Sequence, residues 1–177
     1  MLFRSMQISG ITGNVKNKCK KKCTIVMAAD NGIWEEGVSA CPQSITAIQT
    51  INMLKGLTGV AVISKHANAN IKVIDIGINA EISHPSLVNR KIRMGTYNMV
   101  KGSAMTRDEA IKAIKIGIET VKELTNEGYS VLGTGEMGIC NTSTSSAILM
   151  VLTGCSADIA VGKGSGITEE TYINKKK

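Results

Sequence analysis

The sequence predicts an α/β domain with a mainly parallel sheet, and three observations lead there. Short β-branched runs alternate with longer stretches of helical periodicity, and glycine-rich segments follow the runs. The core must be aliphatic, because Phe3 is the only Phe and Trp34 the only Trp. The predicted strands are 24–29 (TIVMAA), 71–77 (IKVIDIG), 129–132 (YSVL) and 157–161 (ADIAV). Between them the pattern predicts a helix from 43 to about 68, broken near Gly56 to Gly59, then helices over 106–127 and 141–153. In a parallel sheet, ligands bind beyond the carboxyl ends of the strands. The glycines of 30–37, 133–138 and 162–166 are expected at those ends.

The helix over 106–127 has the clearest local signature. Thr106-Arg107-Asp108-Glu109 fits a capping box, in which the threonine hydroxyl and the glutamate carboxylate satisfy free backbone N–H groups. Ile111, Ile114, Ile118, Val121 and Leu124 recur at steps of three and four and are expected to pack this helix on its neighbour. Gly128 stands where a left-handed stop belongs. The helix over 141–153 has hydroxyls in its first turns, an apolar second half and Gly154 as its stop. Segment 79–104 carries no predicted element, and a stretch of that length reads as a functional loop.

The chain has 177 residues, 43% of them apolar and 20% charged, which suits one core of ordinary globular composition. Its longest apolar runs, such as 147–152, fall far short of the ~20 residues a membrane-spanning helix needs. No membrane partner is expected. The formal charge of +7 is concentrated at the ends: Arg4, Lys16, Lys18, Lys20, Lys21 and Lys22 lie in the first 22 residues without an acid, and Lys175 to Lys177 close the chain. The remaining 12 basic residues face all 14 acids, so the body is nearly neutral. No aromatic residues interleave with the lysines, and a nucleic-acid partner is not expected. The chain divides into a basic segment, 1–22, and a single domain, 23–177.

Cys19, Cys23, Cys41, Cys140 and Cys155 are an odd number of cysteines with no secretory leader, which reads as free thiols in the cytoplasm. The Cys19–Cys23 pair sits among lysines, and no second ligand pair completes it, so no metal is expected.

Gly133-Thr134-Gly135-Glu136-Met137-Gly138 satisfies G-x-G-x-x-G between a predicted strand and a predicted helix. It reads either as a dinucleotide fingerprint or as a glycine turn forced by tight packing. Glu136 inside it would repel a pyrophosphate unless it accepts ribose hydroxyls instead. The following Asn141 to Ser146 run opens a helix, where hydroxyls and the positive dipole end favour an anion, although such residues also simply cap helices. Gly162-Lys163-Gly164-Ser165-Gly166, followed by Lys175, forms a second anion cradle and does not fit the Walker A spacing.

Together these segments resemble the nicotinate mononucleotide:dimethylbenzimidazole phosphoribosyltransferases. The residues that carry the resemblance are Asp30-Asn31-Gly32, 36–39 with Pro42 and Thr46, 73–77, 102–106, 133–142, 152–154, and Val161-Gly162 with Gly164. They run in one order from about Ile11 to the last residue. The resemblance implies a doubly wound, Rossmann-like α/β fold with helices on both faces of a mainly parallel sheet, a homodimer, and no cofactor. It implies transfer of the phosphoribosyl group from nicotinate mononucleotide to a benzimidazole-type base, in assembly of the cobalamin nucleotide loop. It places the sugar, phosphate and base contacts on Glu136, Met137 and Gly138, and the phosphate contacts on Gly164 and Lys175. It places the base pocket on Cys41 and Gln49, with additional phosphate or ribose contacts at Asn141 and Thr142. Two departures stand out. Cys140 occupies a position where the family usually has Gly or Ala, and the family's catalytic glutamate segment, Leu-Gly-Glu-Gly-Thr/Ser-Gly, does not occur. The chain therefore reads as the central part of such an enzyme, without the family's terminal extensions. A non-catalytic nucleotide-binding fragment and a dinucleotide-dependent oxidoreductase are the alternatives.

Overall fold

A computed structural model describes residues 2–164 and 166–177. Helix α1 (Leu2–Thr12) leaves nearly all its described side chains exposed. Strand β1 (Lys22–Ala29) follows the basic residues, and its β-branched Thr24, Ile25 and Val26 suit a pleated strand. Beyond a 3₁₀ turn at Gly32–Glu36 come α2 (Ile45–Leu54) and α3 (Gly59–His66), separated at the expected glycines. Strands β2 (Ala69–Gly77) and β3 (Leu87–Asn89) precede α4 (Arg107–Asn126). The chain ends with β4 (Val131–Met137), α5 (Asn141–Thr153), the single turn α6 (Ala157–Ala160) and α7 (Glu169–Lys176).

The strands form one sheet in the order β3-β2-β1-β4, and every pair is parallel. Side-chain alternation sorts the core into two layers. Cys23 and Ile25 of β1 and Ile74 of β2 meet Leu124 of α4, whereas Val26 and Val73 meet Met53 of α2. Helices therefore cover both faces, as a doubly wound sheet requires. Burying side chains such as Val26, Val73 and Ile74 is worth ~1.5–3 kcal/mol each. The α2–α3 crossover carries the chain from β1 to β2, and α4 carries it from β3 at one edge to β4 at the other. The segments after β1 and β4 meet at the carboxyl ends of these two strands, where Ile33 and Val38 pack on Cys140 and where ligands bind in such sheets.

Helix α4 has the full capping box: Thr106 Oγ1 accepts the Glu109 amide at 3.2 Å, and Glu109 accepts the Thr106 amide at 2.8 Å. Gly128 and Gly154 take the expected left-handed conformation, with φ of 84° and 71°. Four expectations need correction. The third strand runs over Val131–Met137 rather than 129–132, so most of the glycine motif is strand and not loop. The reason is close approach to β1: a Cβ on Gly135 would lie 3.3 Å from Val26 Cγ2. Residues 157–161 form the α6 turn and not a strand, because they pair with no strand and Ser156 stands at an N-cap. The 79–104 segment contains β3, whose three residues are too short to show a period. Finally, α4 buries Ile116, Thr120 and Leu124; of the predicted stripe, Leu124 alone is buried.

Candidate active site

The segments after β1 and β4 are tied together by half-buried Asn31, just after β1, and buried Thr46 of α2. Asn31 Nδ2 donates to the Ile139 carbonyl at 2.9 Å, and fully buried Thr46 accepts the Ile139 amide at 3.0 Å. The two peptide units that flank Ile139 are thereby both fixed. Gly138 brings this backbone so close to β1 that a Cβ there would lie 2.1 Å from the Ala29 carbonyl oxygen. Next to it, Asp30 is 2% exposed and accepts the Asn79 amide at 2.8 Å, while its Oδ1 has no hydrogen-bond partner. Burial pushes the Asp30 carboxyl above the usual range, opposed by Thr46 and the Asn79 amide.

Cys140 precedes α5 at φ 70°, the left-handed region where glycine is at ease and an L side chain is strained by ~1–2 kcal/mol. The turn it makes explains the small residues that the family resemblance implies there. Its thiol packs with Ile33 and Val38, and burial raises its pKa.

Beyond this turn lies a cleft bordered by Ser39, Met137, Gly138, Asn141, Thr142, Gly164 and Lys175. Through Asn141, Thr142 and Gly164 it continues into a lobe bordered by Glu136, Ser145, Ser146 and Gly162. Lys175, in the last turn of α7, donates to Thr142 Oγ1 at 2.9 Å and to the Gly162 carbonyl at 3.1 Å. No carboxylate pairs with it among the described residues. Partial burial lowers its pKa. Gly164, at φ 68°, is the close neighbour of both groups: a Cβ there would lie 3.1 Å from Thr142 Oγ1 and 3.6 Å from Lys175 Nζ. A cation without a counter-charge, a hydroxyl and the positive end of α5 converge here, which suits a phosphate. Glu136 accepts a hydrogen bond from Asn141 Nδ2 at the edge of the same cleft and leaves carboxylate lone pairs for sugar hydroxyls.

The structure thus brings together Glu136, Met137, Gly138, Asn141, Thr142, Gly164 and Lys175. Met137 also packs inward on the Val26–Met53–Val73 cluster. Cys41 and Gln49 do not border this cleft. Cys41 donates its amide to Ser39 Oγ and accepts the Trp34 indole N–H at 3.0 Å, and Gln49 is half-buried on α2. The predicted site residues omitted Asn31, Ser39 and Thr46, although all three lie in segments that carry the family resemblance. Nothing in local spacing distinguishes them, because their roles depend on partners about 100 residues away.

The sequence matches the family described as Phosphoribosyltransferase over residues 4–177. The chain belongs to that family. Within it, the nicotinate-nucleotide–dimethylbenzimidazole phosphoribosyltransferase of Clostridium acetobutylicum is 56% identical over 169 residues, which is 96% of this chain and 48% of that protein. The same-named protein of Clostridium tetani is 53% identical over 173 residues, 98% of this chain and 48% of that one. The crystal structure of CobT from Thermus thermophilus matches with a TM-score of 0.94 at 35% identity, covering 97% of this chain and 52% of its own. The chain spans about half the length of the curated relatives it matches. Two of the three fingerprint-like glycines, Gly133 and Gly135, lie inside β4, so their pattern does not support a dinucleotide oxidoreductase.

Proposed function

We propose that this chain carries the nucleotide-binding part of an enzyme that moves the phosphoribosyl group of nicotinate mononucleotide to 5,6-dimethylbenzimidazole. In that reaction the bond from the anomeric carbon to the nicotinate nitrogen breaks and one to an azole nitrogen forms. The products are nicotinate and α-ribazole 5′-phosphate. The supporting observation is the juxtaposition of Lys175, Thr142 and Gly164 at the start of α5, with Glu136 beside them. Lys175 and Thr142 hold the phosphate, Asn141 and Glu136 take ribose hydroxyls, and Met137 and Gly138 border the sugar and base. Cys41 and Gln49 belong to the base pocket in this reading, outside the phosphate cleft. The azole proton needs a carboxylate base within hydrogen-bond reach. Glu136 is assigned to ribose, and the family's catalytic glutamate segment is not in this sequence.

The wider reading is a homodimer working in the cytoplasm on small-molecule substrates, without nucleic acid or membrane, and with 23–177 as one domain. Among the described residues, no helix is long and apolar enough to cross a membrane.

Calorimetric titration with nicotinate mononucleotide, with NAD in parallel, tests the binding half. The expected result is preference for the mononucleotide, weakened about 10- to 100-fold by Lys175→Ala, the worth of a charge-assisted hydrogen bond. Binding of NAD alone would overturn the proposal. A Glu136→Gln protein that binds normally yet loses all turnover would overturn the ribose assignment. Release of nicotinate on adding the base tests the catalytic half of the proposal.

A further inference from the structure

Among the described residues, three charged side chains border the phosphate cleft and its neighbouring lobe: Glu136, Lys163 and Lys175. A terminal phosphate monoester carries nearly two negative charges at neutral pH. Glu136 offsets the charge of Lys175, so without Lys163 these side chains would sum to zero against a near-dianion. With Lys163 they sum to a net positive charge. Lys163 lies between Gly162 and Gly164, in the segment that shapes the cleft, yet its ammonium is turned to Glu169 Oε2 at 2.6 Å, with the Tyr172 ring 5.7 Å away. The two side chains of this ion pair are 52% and 65% exposed. Water screens such a pair, and it holds its partners only weakly. A charge-assisted hydrogen bond to phosphate is stronger. Glu169 stands in the first turn of α7, where the helix dipole and solvent still favour its charge when Lys163 leaves.

We propose that Lys163 is a second phosphate-binding residue of this cleft, held in reserve by Glu169. On ligand binding its ammonium leaves Glu169 for the terminal phosphate. Lys163 thereby selects mononucleotides over dinucleotides, whose bridging phosphates carry one charge each. Glu169 is its internal competitor and lowers the affinity that Lys163 supplies. The inference rests on the phosphate cleft proposed above and adds to it a selecting residue and the group that restrains it. Breaking the ion pair from either side has the same structural consequence. For binding the two sides differ in sign: loss of Lys163 removes a phosphate ligand, whereas loss of Glu169 frees one.

Calorimetric titration of the full chain with nicotinate mononucleotide, and with NAD in parallel, reads that difference in sign. Lys163→Gln should weaken mononucleotide binding about tenfold and NAD binding less. Glu169→Gln should tighten mononucleotide binding about two- to fivefold, and in the Lys163→Gln background it should do nothing. Glu170→Gln removes the neighbouring charge, leaves this ion pair intact and should have the smaller effect of the two glutamate changes. If Lys163→Gln and Glu169→Gln both weaken binding, the pair is only a brace for the loop and the proposal is wrong. A tightening by Glu169→Gln that persists without Lys163 is a general effect of charge and also overturns it. An equal loss for NAD overturns the selecting role. If Lys175→Ala weakens mononucleotide binding and Lys163→Gln does not, this inference falls and the cleft stands. If the parent chain does not bind the mononucleotide, both fall together.

Discussion

The glycines of 133–138 and those of 162–166 look alike in the sequence, and they answer to different physical constraints. In the first run, Gly135 and Gly138 make room: a side chain at either would press on β1, at 3.3 Å from Val26 Cγ2 and 2.1 Å from the Ala29 oxygen. In the second, Gly164 supplies both a left-handed φ of 68° and a close approach to Thr142 and Lys175. The first run joins two strands, and the second shapes a cleft around a cation. A pattern of glycines therefore does not by itself name a phosphate loop. What surrounds each missing Cβ separates a packing glycine from a binding one.

The comparison can be broken most forcefully at Gly138. Gly138→Ala should cost about 3 kcal/mol or more in chemical denaturation, because the neighbour is backbone that cannot rotate away. A loss below about 1 kcal/mol would show that the two segments slide apart easily. Gly164→Ala should cost ~1–2 kcal/mol for the left-handed backbone. Unlike Gly138→Ala, it should also weaken nicotinate mononucleotide binding in calorimetry, because Thr142 must move. A stability loss with unchanged affinity would detach Gly164 from the cleft.

Asp30, next to the Ala29 carbonyl that Gly138 approaches, gives a pH-dependent test. Burial raises its folded-state pKa, so its contribution to stability is fully present below the unfolded pKa and is lost as pH rises through the folded one. Asp30→Asn removes that loss. Its stability relative to the parent should therefore increase from acid toward neutral pH and then level off, as followed by melting temperature across the pH series. The opposite slope would mean that the ionised carboxylate is the favoured form. The smallest effect is expected at Gly133, where an added Cβ meets Thr24 Oγ1 at an ordinary 3.6 Å and φ is not positive. Gly133→Ala should be neutral or stabilising by ~0.5 kcal/mol through the unfolded chain, opposite in sign to Gly138→Ala within one motif.

Much of the site was legible because the residues around the cleft lie in short segments whose types carry the family resemblance. Lys175, Thr142 and Gly164 were expected and converge. Asn31 and Thr46 were not assigned a role, since each acts on the peptide of Ile139, far along the chain. The α4 stripe was legible as a stripe, but which side faced the sheet was not. A helix with two apolar faces offers two equivalent readings, and contact with Ile25 and Ile74 through Leu124 selects one of them.

The sequence by itself determined the helices α2 to α5, the capping box of α4, the glycine stops at 128 and 154, and the aliphatic core. Each of these depends on interactions within one or two turns of chain. Tertiary structure alone decided that 133–137 is strand, that 157–160 is a helical turn, that α4 turns Ile116 inward, and that Lys175 reaches Thr142. Those outcomes depend on the register of β4 against β1 and on how the segments after these strands pack on each other, and pairings between residues distant in sequence set that register.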